Sequence, residues 1–275
     1  MSQLSTAGGT RPEPSLPSPP DAGSSAGGRP REWDAATYDR VASPHVRWGS
    51  EVLSRLALAG DECVLDAGCG SGRVTEQLLR RLPRGQVLAL DASAAMLAEA
   101  RRRLSGYGSR VHFIQADLTQ PLPLQRLLDA VFSTATFHWI ADHGALFRHL
   151  AAAMRPGAQL VFQCGGAGNI ASVQAALHRV GDGWPGPWRF ATPEETRAAL
   201  AAAGFTTIEA WLSEEPVAIA PGEPLETFLR TVILGAHLDR LPASEHAAFV
   251  KAVAALLPRP EIDYVRLNVV ARRAG

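Results

Sequence analysis

The sequence predicts an α/β protein, a parallel β-sheet with helices on both faces. Three observations carry that reading. Short β-branched runs alternate with stretches of helical period. The runs are apolar throughout rather than at every second residue, the pattern of strands covered on both sides. The first run ends in the glycine-rich turn Asp66-Ala67-Gly68-Cys69-Gly70-Ser71-Gly72, and a helical pattern follows at once. With 275 residues, 46 % of them hydrophobic, the chain can build one domain of generous size.

Residues 1–30 stand apart. Six Pro, six Ser and five Gly fill more than half of them, too little apolar surface to offset ordering entropy. A disordered tail is expected there, and a domain over 31–275. Within 31–58, Trp33, Tyr38, Val41, Val46, Trp48, Val52, Leu53, Leu56 and Leu58 predict one or two amphipathic helices. Cys63-Val64-Leu65-Asp66 is the first strand, and Val74, Leu78, Leu79 and Leu82 mark the helix after it. Val87 to Asp91 is the second strand. Met96, Leu97, Ala100 and Leu104 give the second helix, with Ser93 as its cap. Strands follow at Val111–Ile114, Ala130–Ser133 and Gln159–Gln163, with a helix over 143–153 between the last two. Further on, helices are expected over 170–180, 194–203, 223–236 and 244–257. A sixth strand is expected from Thr206 to Leu212 and an apolar last strand from Ile262 to Ala271. Gly and Pro make 181–188 an exposed loop.

Composition excludes several classes. A formal net charge of zero gives no footprint of a nucleic-acid binder. Cys63, Cys69 and Cys164 lack metal-ligand spacing, and no metal is expected. Cys63 and Cys164 sit in apolar runs, and packing is the expected role for all three. No apolar run reaches the roughly 18 residues of a membrane span, and the N-terminus lacks a signal-peptide layout. The expectation is a cytoplasmic protein, monomer or homodimer, with no membrane or nucleic-acid partner.

A strand that ends in Gly-x-Gly-x-Gly and opens a helix brings backbone close to a ligand. Asp91 ends the next strand, where a carboxylate can accept both hydroxyls of a ribose. Two details separate S-adenosylmethionine (SAM) from NAD. The third glycine of a dinucleotide fingerprint would fall at residue 73, which is Arg73. Asp66, just before the first glycine, would repel a pyrophosphate at the helix N-terminus. It suits a ligand with an ammonium and a sulfonium.

Val64-Leu65-Asp66-Ala67-Gly68-Cys69-Gly70-Ser71-Gly72 resembles motif I of the class I SAM-dependent methyltransferases. Ala89 to Leu97 resembles that family's second motif, and Gln115-Ala116-Asp117-Leu118 its third. The resemblance covers about residues 33–165. It implies a Rossmann-like sheet of seven strands, mostly parallel with the last one antiparallel, and an N-terminal helical lid over 31–58. It also implies that Asp66, Gly68 and Gly70 hold the methionine end of SAM. Asp91, Ala92 and Met96 would hold ribose and adenine, and Ala116, Asp117 and Leu118 the adenine. Thr134 is placed on the cofactor side. Other readings stand beside these: Gly72 only shapes the turn, Met96 packs the core, and Asp117 forms a turn.

In open α/β sheets ligands bind outside the carboxyl ends of the strands. Phe137, His138 and Trp139 follow the fourth strand and are therefore expected near the transferable methyl. The segment, with Asp142-His143 and a helix behind it, resembles trans-aconitate methyltransferases, and also malonyl-carrier-protein and juvenile-hormone-acid methyltransferases. Where the trans-aconitate group usually carries Gln-Trp, this chain has His138-Trp139. The resemblance implies a small-molecule acceptor, with O-methylation of a carboxylate favoured. A carboxylate acceptor needs no base. A hydroxyl or carbon acceptor needs one, and His138 is the candidate. The alternative for His138 is a hydrogen bond or packing. Trp139 reads as a wall of the site. Tyr38, in Trp33-Asp34-Ala35-Ala36-Thr37-Tyr38-Asp39, resembles a lid residue that approaches the cofactor. Trp48, Gln163 and the run Cys164 to Asn169 are further candidate walls, and helical elements at 170–203 and 223–258, with Trp184 and Trp188, a cap. A SAM-binding protein without transfer activity is the non-enzymatic alternative.

Overall fold

The computed structural model describes residues 43–124 and 127–275. The tail, Trp33 and Tyr38 lie outside the described residues. Helix α1 (Ser43–Ser54) precedes β1 (Cys63–Ala67), α2 (Arg73–Arg81), β2 (Gln86–Asp91), α3 (Ala94–Arg103), β3 (Val111–Gln115) and β4 (Leu128–Thr134). Then come α4 (His143–Ala153), β5 (Met154–Gly165), α5 (Ala171–Val180), α6 (Pro193–Ala202) and β6 (Phe205–Glu214). The chain ends with β7 (Val217–Ala218), α7 (Glu223–Phe228), α8 (Gly235–Leu238), α9 (His246–Leu256), β8 (Glu261–Ile262) and β9 (Val265–Arg273).

Seven strands form one sheet in the order β3-β2-β1-β4-β5-β9-β6. Strands β1 to β5 pair in parallel, and β9 inserts antiparallel between β5 and β6. The strand order reverses between β1 and β4, so a crevice opens at their carboxyl ends. The ends of β1, β2 and β4 all face it, which brings Asp66, Asp91 and Thr134 to one side of the molecule.

Local signals explain the helices. Ser93 Oγ accepts the Met96 N–H at 3.2 Å and starts α3. Glu76 in the first turn of α2 and Arg80 and Arg81 in the last match its dipole. Thr192 and Glu195 form a reciprocal capping box, with Pro193 at the first position of α6. Leu65, Val131, Leu150, Phe162 and Leu200 pack on one face of the sheet. Val64, Leu79, Leu97, Phe132 and Val161 pack on the other. The C-terminal helices have a core of their own, with Trp48, Val173, Leu177, Phe228, Leu229 and Val250.

Three expectations need correction. The last strand does not run unbroken from Ile262. Asp263 turns away to accept both the backbone N–H and the hydroxyl of Ser172, and Ile262 pairs with Val217 in a separate ribbon. The helix expected over 223–236 is interrupted by a π-turn at Leu229–Ile233, closed by Leu234 N–H to Leu229 O at 2.7 Å. Loop 181–188 is not simply exposed. Trp184 and Trp188 are half-buried, and Trp184 lies 4.7 Å from the His237 ring, with the Arg240 guanidinium 4.4 Å from its own ring.

Candidate functional site

The glycine turn is held by β2. Gly68 and Cys69 N–H groups donate to Leu90 O at 2.8 and 2.9 Å. Gly70 N–H donates to Asp91 Oδ2 and Ser93 N–H to Asp91 Oδ1, both at 2.9 Å. One carboxylate thus ties the turn to the start of α3. Gly68, Gly70 and Gly72 all have positive φ, at 82°, 54° and 82°. They differ in what a side chain would meet. A Cβ on Gly68 would lie 2.1 Å from Thr136 Oγ1, and one on Gly72 would lie 3.1 Å from Leu104. A Cβ on Gly70 would meet nothing within 4 Å. Gly68 is therefore glycine for packing. Gly70 faces the open cradle, where a ligand can come down onto backbone.

Asp66 is buried at the end of β1 and accepts the Thr75 hydroxyl at 2.7 Å. Burial pushes its carboxyl up to about 7, the Thr75 bond opposes this, and the nearby charge of Asp91 adds to it. A buried acid beside a second acid fits a ligand that brings positive charge. The turn, the open Gly70 cradle and this acid pair fit SAM, whose ammonium and sulfonium are cationic. Asp117 is exposed, and its Oδ1 accepts the Thr119 N–H at 2.8 Å, the turn-forming reading. Leu118 is buried in the core behind it, and Met96 is buried on the first turn of α3. Ala92, Ala116 and Thr134 are half-buried at the ends of β2, β3 and β4. Cys69 is buried, with its thiol held well above the usual range by that burial and by the two acids. Burial of this kind disfavours the thiolate and fits the packing role.

The Asp66 carboxyl makes two outcomes measurable. A carboxyl raised from 3.8 to about 7 binds its proton more tightly in the folded chain. Its contribution therefore lowers stability as pH climbs from about 4 to about 7, by a few kcal/mol in all. Asp66→Asn is expected to raise the melting temperature of the ligand-free protein at pH 8 and leave it unchanged near pH 4. The wild type is expected to bind S-adenosylhomocysteine roughly tenfold more tightly at pH 8 than at pH 6, since binding draws on the ionised acid. A flat affinity profile in calorimetry between those pH values would remove Asp66 from the ligand site.

The second half of the site follows β4. Ala135 takes φ 56°, a left-handed conformation that costs a non-glycine residue about 1 kcal/mol or more. Its N–H donates to Gln163 O at 2.8 Å. The twist turns the chain between two sites. Thr136 Oγ1 lies 3.3 Å from Gly68 O, whereas Ala135, His138 and Trp139 line a solvent-open cleft. Asn169, Ile170, Trp188, Phe190, Val232, Ile233, Tyr264 and Arg266 complete its wall. Ile170, like Ala135, has positive φ, at 51°. Backbone strain at two wall positions is typical of a functional site.

Aromatic rings set the cleft's shape. His138 and Trp139 have centroids 5.4 Å apart, and Trp188 lies 5.9 Å from both Trp139 and Phe190. Phe137 does not reach the cleft. It is fully buried against Phe147 and Phe162, because successive side chains of the short 3₁₀ turn Phe137–Trp139 point about 120° apart. His143 is also behind the wall. It bonds Phe137 O at 3.0 Å, and burial lowers its pKa, so it acts as a brace for the turn. Trp48 packs α1 onto the cap core, in edge contact with Tyr264 at 5.1 Å. Of the expected second wall, Asn169 lines the cleft, while Gln163 lies buried beneath it. Trp184 holds the loop down on His237 and is not part of the wall.

Sequence reasoning missed Arg266 and Tyr264, whereas Val232 and Ile233 fall in the 223–236 element expected to cap the site. A signal for Arg266 was present: Val265-Arg266-Leu267-Asn268-Val269 alternates inside a strand read as apolar. Alternation there marks one face that meets polar groups.

Residues 64–157 match a family described as a methyltransferase domain. A trans-aconitate 2-methyltransferase from Methylobacterium nodulans is 34 % identical over 263 residues, covering 88 % of this chain and 98 % of that protein. The chain belongs to the SAM-dependent methyltransferases of the trans-aconitate 2-methyltransferase family. A second trans-aconitate 2-methyltransferase, from Acidovorax sp. (strain JS42), is 40 % identical over 132 residues, about half of each protein. The fold of this methyltransferase is shared with a phosphoethanolamine N-methyltransferase 2 from Haemonchus contortus, solved in complex with S-adenosyl-L-methionine. The TM-score is 0.61 at 18 % identity, over 88 % of this chain and 57 % of that one. The cofactor is SAM, and the enzyme class is methyl transfer. Among the described residues, no helix is long and apolar enough to cross a membrane.

Proposed function

We propose that this methyltransferase esterifies a carboxylate of a small organic acid of the trans-aconitate type. The observation that carries the reading is the state of His138. Gly165 N–H approaches His138 Nδ1 at 3.3 Å, so Nδ1 is the acceptor. In the neutral ring the proton then sits on Nε2. A ring so held is a hydrogen-bond donor at the cleft wall rather than a base, and donation suits an anionic oxygen. A carboxylate is already ionised and needs no proton removed. The trans-aconitate relatives support the same acceptor class.

Bound SAM supplies an electrophilic methyl group. Asp66 and the backbone at Gly70 would hold the methionine end, Asp91 the ribose, and Ala92, Met96, Ala116, Asp117 and Leu118 the adenine side of the crevice, with Thr134 at the end of β4 a further cofactor contact. His138 Nε2–H orients the acceptor oxygen, and Trp139 with Trp188 excludes water from the transfer line.

His138→Ala is expected to lower kcat/KM for trans-aconitate by about 10- to 100-fold, the loss of one hydrogen bond to a charged group. His138→Gln, which restores an N–H donor, is expected to recover most of it. Neither variant should change the pH profile between 6 and 8. A histidine inflection present in the wild type and absent from both variants would restore the base role, and with it a hydroxyl or carbon acceptor.

A further inference from the structure

Asn169 is 3 % exposed, yet it lines the acceptor cleft. Its segment is pinned from several sides. Gly166 N–H donates to Val265 O at 2.9 Å, Ala167 N–H to Ala191 O at 3.0 Å and Ile170 N–H to Asp263 O at 3.0 Å. Asn169 N–H closes a turn on Gly166 O at 2.9 Å. The side chain is anchored at one end only. Its Oδ1 accepts the Val265 N–H of β9 at 3.0 Å. That bond fixes which way the amide points, since a flipped amide would set NH₂ against N–H, donor against donor. Nδ2 therefore takes the opposite side. It donates to no group among the described residues, and it is not sealed from solvent. A buried N–H without an acceptor is costly, so a fixed donor turned to an open cleft is placed for a ligand. Gly165 makes room for it. A Cβ there would lie 2.9 Å from Asn169 Nδ2 and 2.7 Å from Phe190 Cε1. The Gly165 N–H in turn approaches His138 Nδ1 at 3.3 Å, and the His138 and Phe190 rings stack with centroids 6.0 Å apart. One bare glycine at the end of β5 thus gathers the Asn169 amide and the His138 ring at the same point of the wall.

We propose that Asn169 is a substrate-binding residue of the acceptor cleft, its Nδ2–H donating to one oxygen of the carboxylate that takes the methyl group. The inference rests on the carboxylate reading above, and it adds the group that orients the acceptor beside His138. The chemistry suits a neutral amide. A lone pair on the other carboxylate oxygen forms the O–CH₃ bond as the S–CH₃ bond breaks, and the electron pair of that bond stays on sulfur. No proton moves. A charged donor binds a carboxylate more strongly and draws more density from the nucleophile, whereas an amide orients it at less cost to its reactivity. The ester keeps a carbonyl oxygen for Asn169 but has lost its charge. The bond weakens on transfer, which favours release of the product.

The test compares wild type with Asn169→Asp and Asn169→Ala. Asn169→Asp is nearly isosteric and keeps an oxygen for the Val265 N–H, but it puts an acceptor where the donor was. Binding of trans-aconitate is measured by calorimetry with S-adenosylhomocysteine present, alongside KM and kcat. At pH 8 Asn169→Asp is expected to weaken that binding and raise KM by about 50-fold or more, through the lost bond and the repulsion of like charges. Affinity for S-adenosylhomocysteine alone should stay within about threefold of wild type, since the cofactor crevice is untouched. At pH 5.5 the defect should shrink about fivefold or more, because a protonated carboxyl offers an O–H donor again. Each value is taken as a ratio to wild type at the same pH, which removes the titration of His138 and of the substrate. Asn169→Ala should weaken binding about tenfold at both pH values, the loss of one hydrogen bond to a charged group. Trans-aconitate binding and KM equal to wild type in Asn169→Asp overturn the assignment while the carboxylate reading stands. A defect of the same size at both pH values in that variant marks a purely structural residue and overturns it too. If melting curves show that Asn169→Asp does not fold, Asn169→Ala decides, and a wild-type KM there overturns the assignment. A wild type that methylates hydroxyl or carbon acceptors and no carboxylate overturns the reading beneath it.

Discussion

Asp91→Ala is expected to reduce affinity for S-adenosylhomocysteine by 100-fold or more. Two losses combine. Under the proposed assignment the carboxylate at the end of β2 accepts both ribose hydroxyls, and each hydrogen bond to a charged acceptor is worth roughly 1.5–3 kcal/mol. The sum, about 3–6 kcal/mol, corresponds to between two and four decades of affinity. The same carboxylate holds the Gly70 and Ser93 N–H groups at 2.9 Å, so the variant also loosens the turn before the ligand arrives. Asp91→Asn keeps one carbonyl acceptor and should lose about half of that free energy. Calorimetric titration checks both variants, with melting curves to show that the fold persists. An Asp91→Ala protein that binds within threefold of wild type would show that the ribose lies elsewhere.

Gly68→Ala and Gly70→Ala are expected to fail in opposite ways. Both positions have positive φ, so each alanine carries a backbone cost of about 1–2 kcal/mol. At Gly68 the new methyl also collides with Thr136, 2.1 Å from Oγ1 and 2.4 Å from Cγ2. Thr136 cannot retreat freely, since its hydroxyl bonds Thr134 O at 3.1 Å and its neighbour Ala135 is already strained. Overpacking adds about 1–3 kcal/mol. The variant should melt about 5–15 °C lower, on the usual scale of a few degrees per kcal/mol. At Gly70 the methyl enters open space, so stability should fall by only the backbone cost. Cofactor affinity should fall much further, because the methyl occupies the cradle. Melting temperature and S-adenosylhomocysteine affinity, measured on both variants, separate the two roles. Equal losses of both properties in both variants would mean that the two glycines do one job.

Much of the fold was legible because its signals are local. Uniformly apolar runs such as Val64-Leu65 and Val87 to Leu90 identify strands buried on both faces, and both are interior strands of the sheet. Ser93 was readable as a cap because capping needs only neighbouring residues. The breaks were not legible, because they answer to distant partners. The last strand parts at Asp263 to satisfy Ser172, 91 residues away. The helix at 223–236 slips into a π-turn where it meets the cleft. Phe137, adjacent in sequence to His138 and Trp139, faces into the core because a 3₁₀ turn follows a strained Ala135.

The family and the cofactor were legible in the residues alone, as was the position of Asp66 and Asp91 at the ends of the first two strands. A turn whose backbone must approach a ligand constrains residues within a few positions of one another, and that constraint is written in order along the chain. The tertiary structure alone decided how the acceptor wall is built. His138 takes its tautomer from Gly165, and Arg266 reaches the cleft from β9, over a hundred residues after the strand it faces. Those relations are set by strand order and by which lone pair a distant N–H occupies, and neither leaves a periodic trace in the residues concerned.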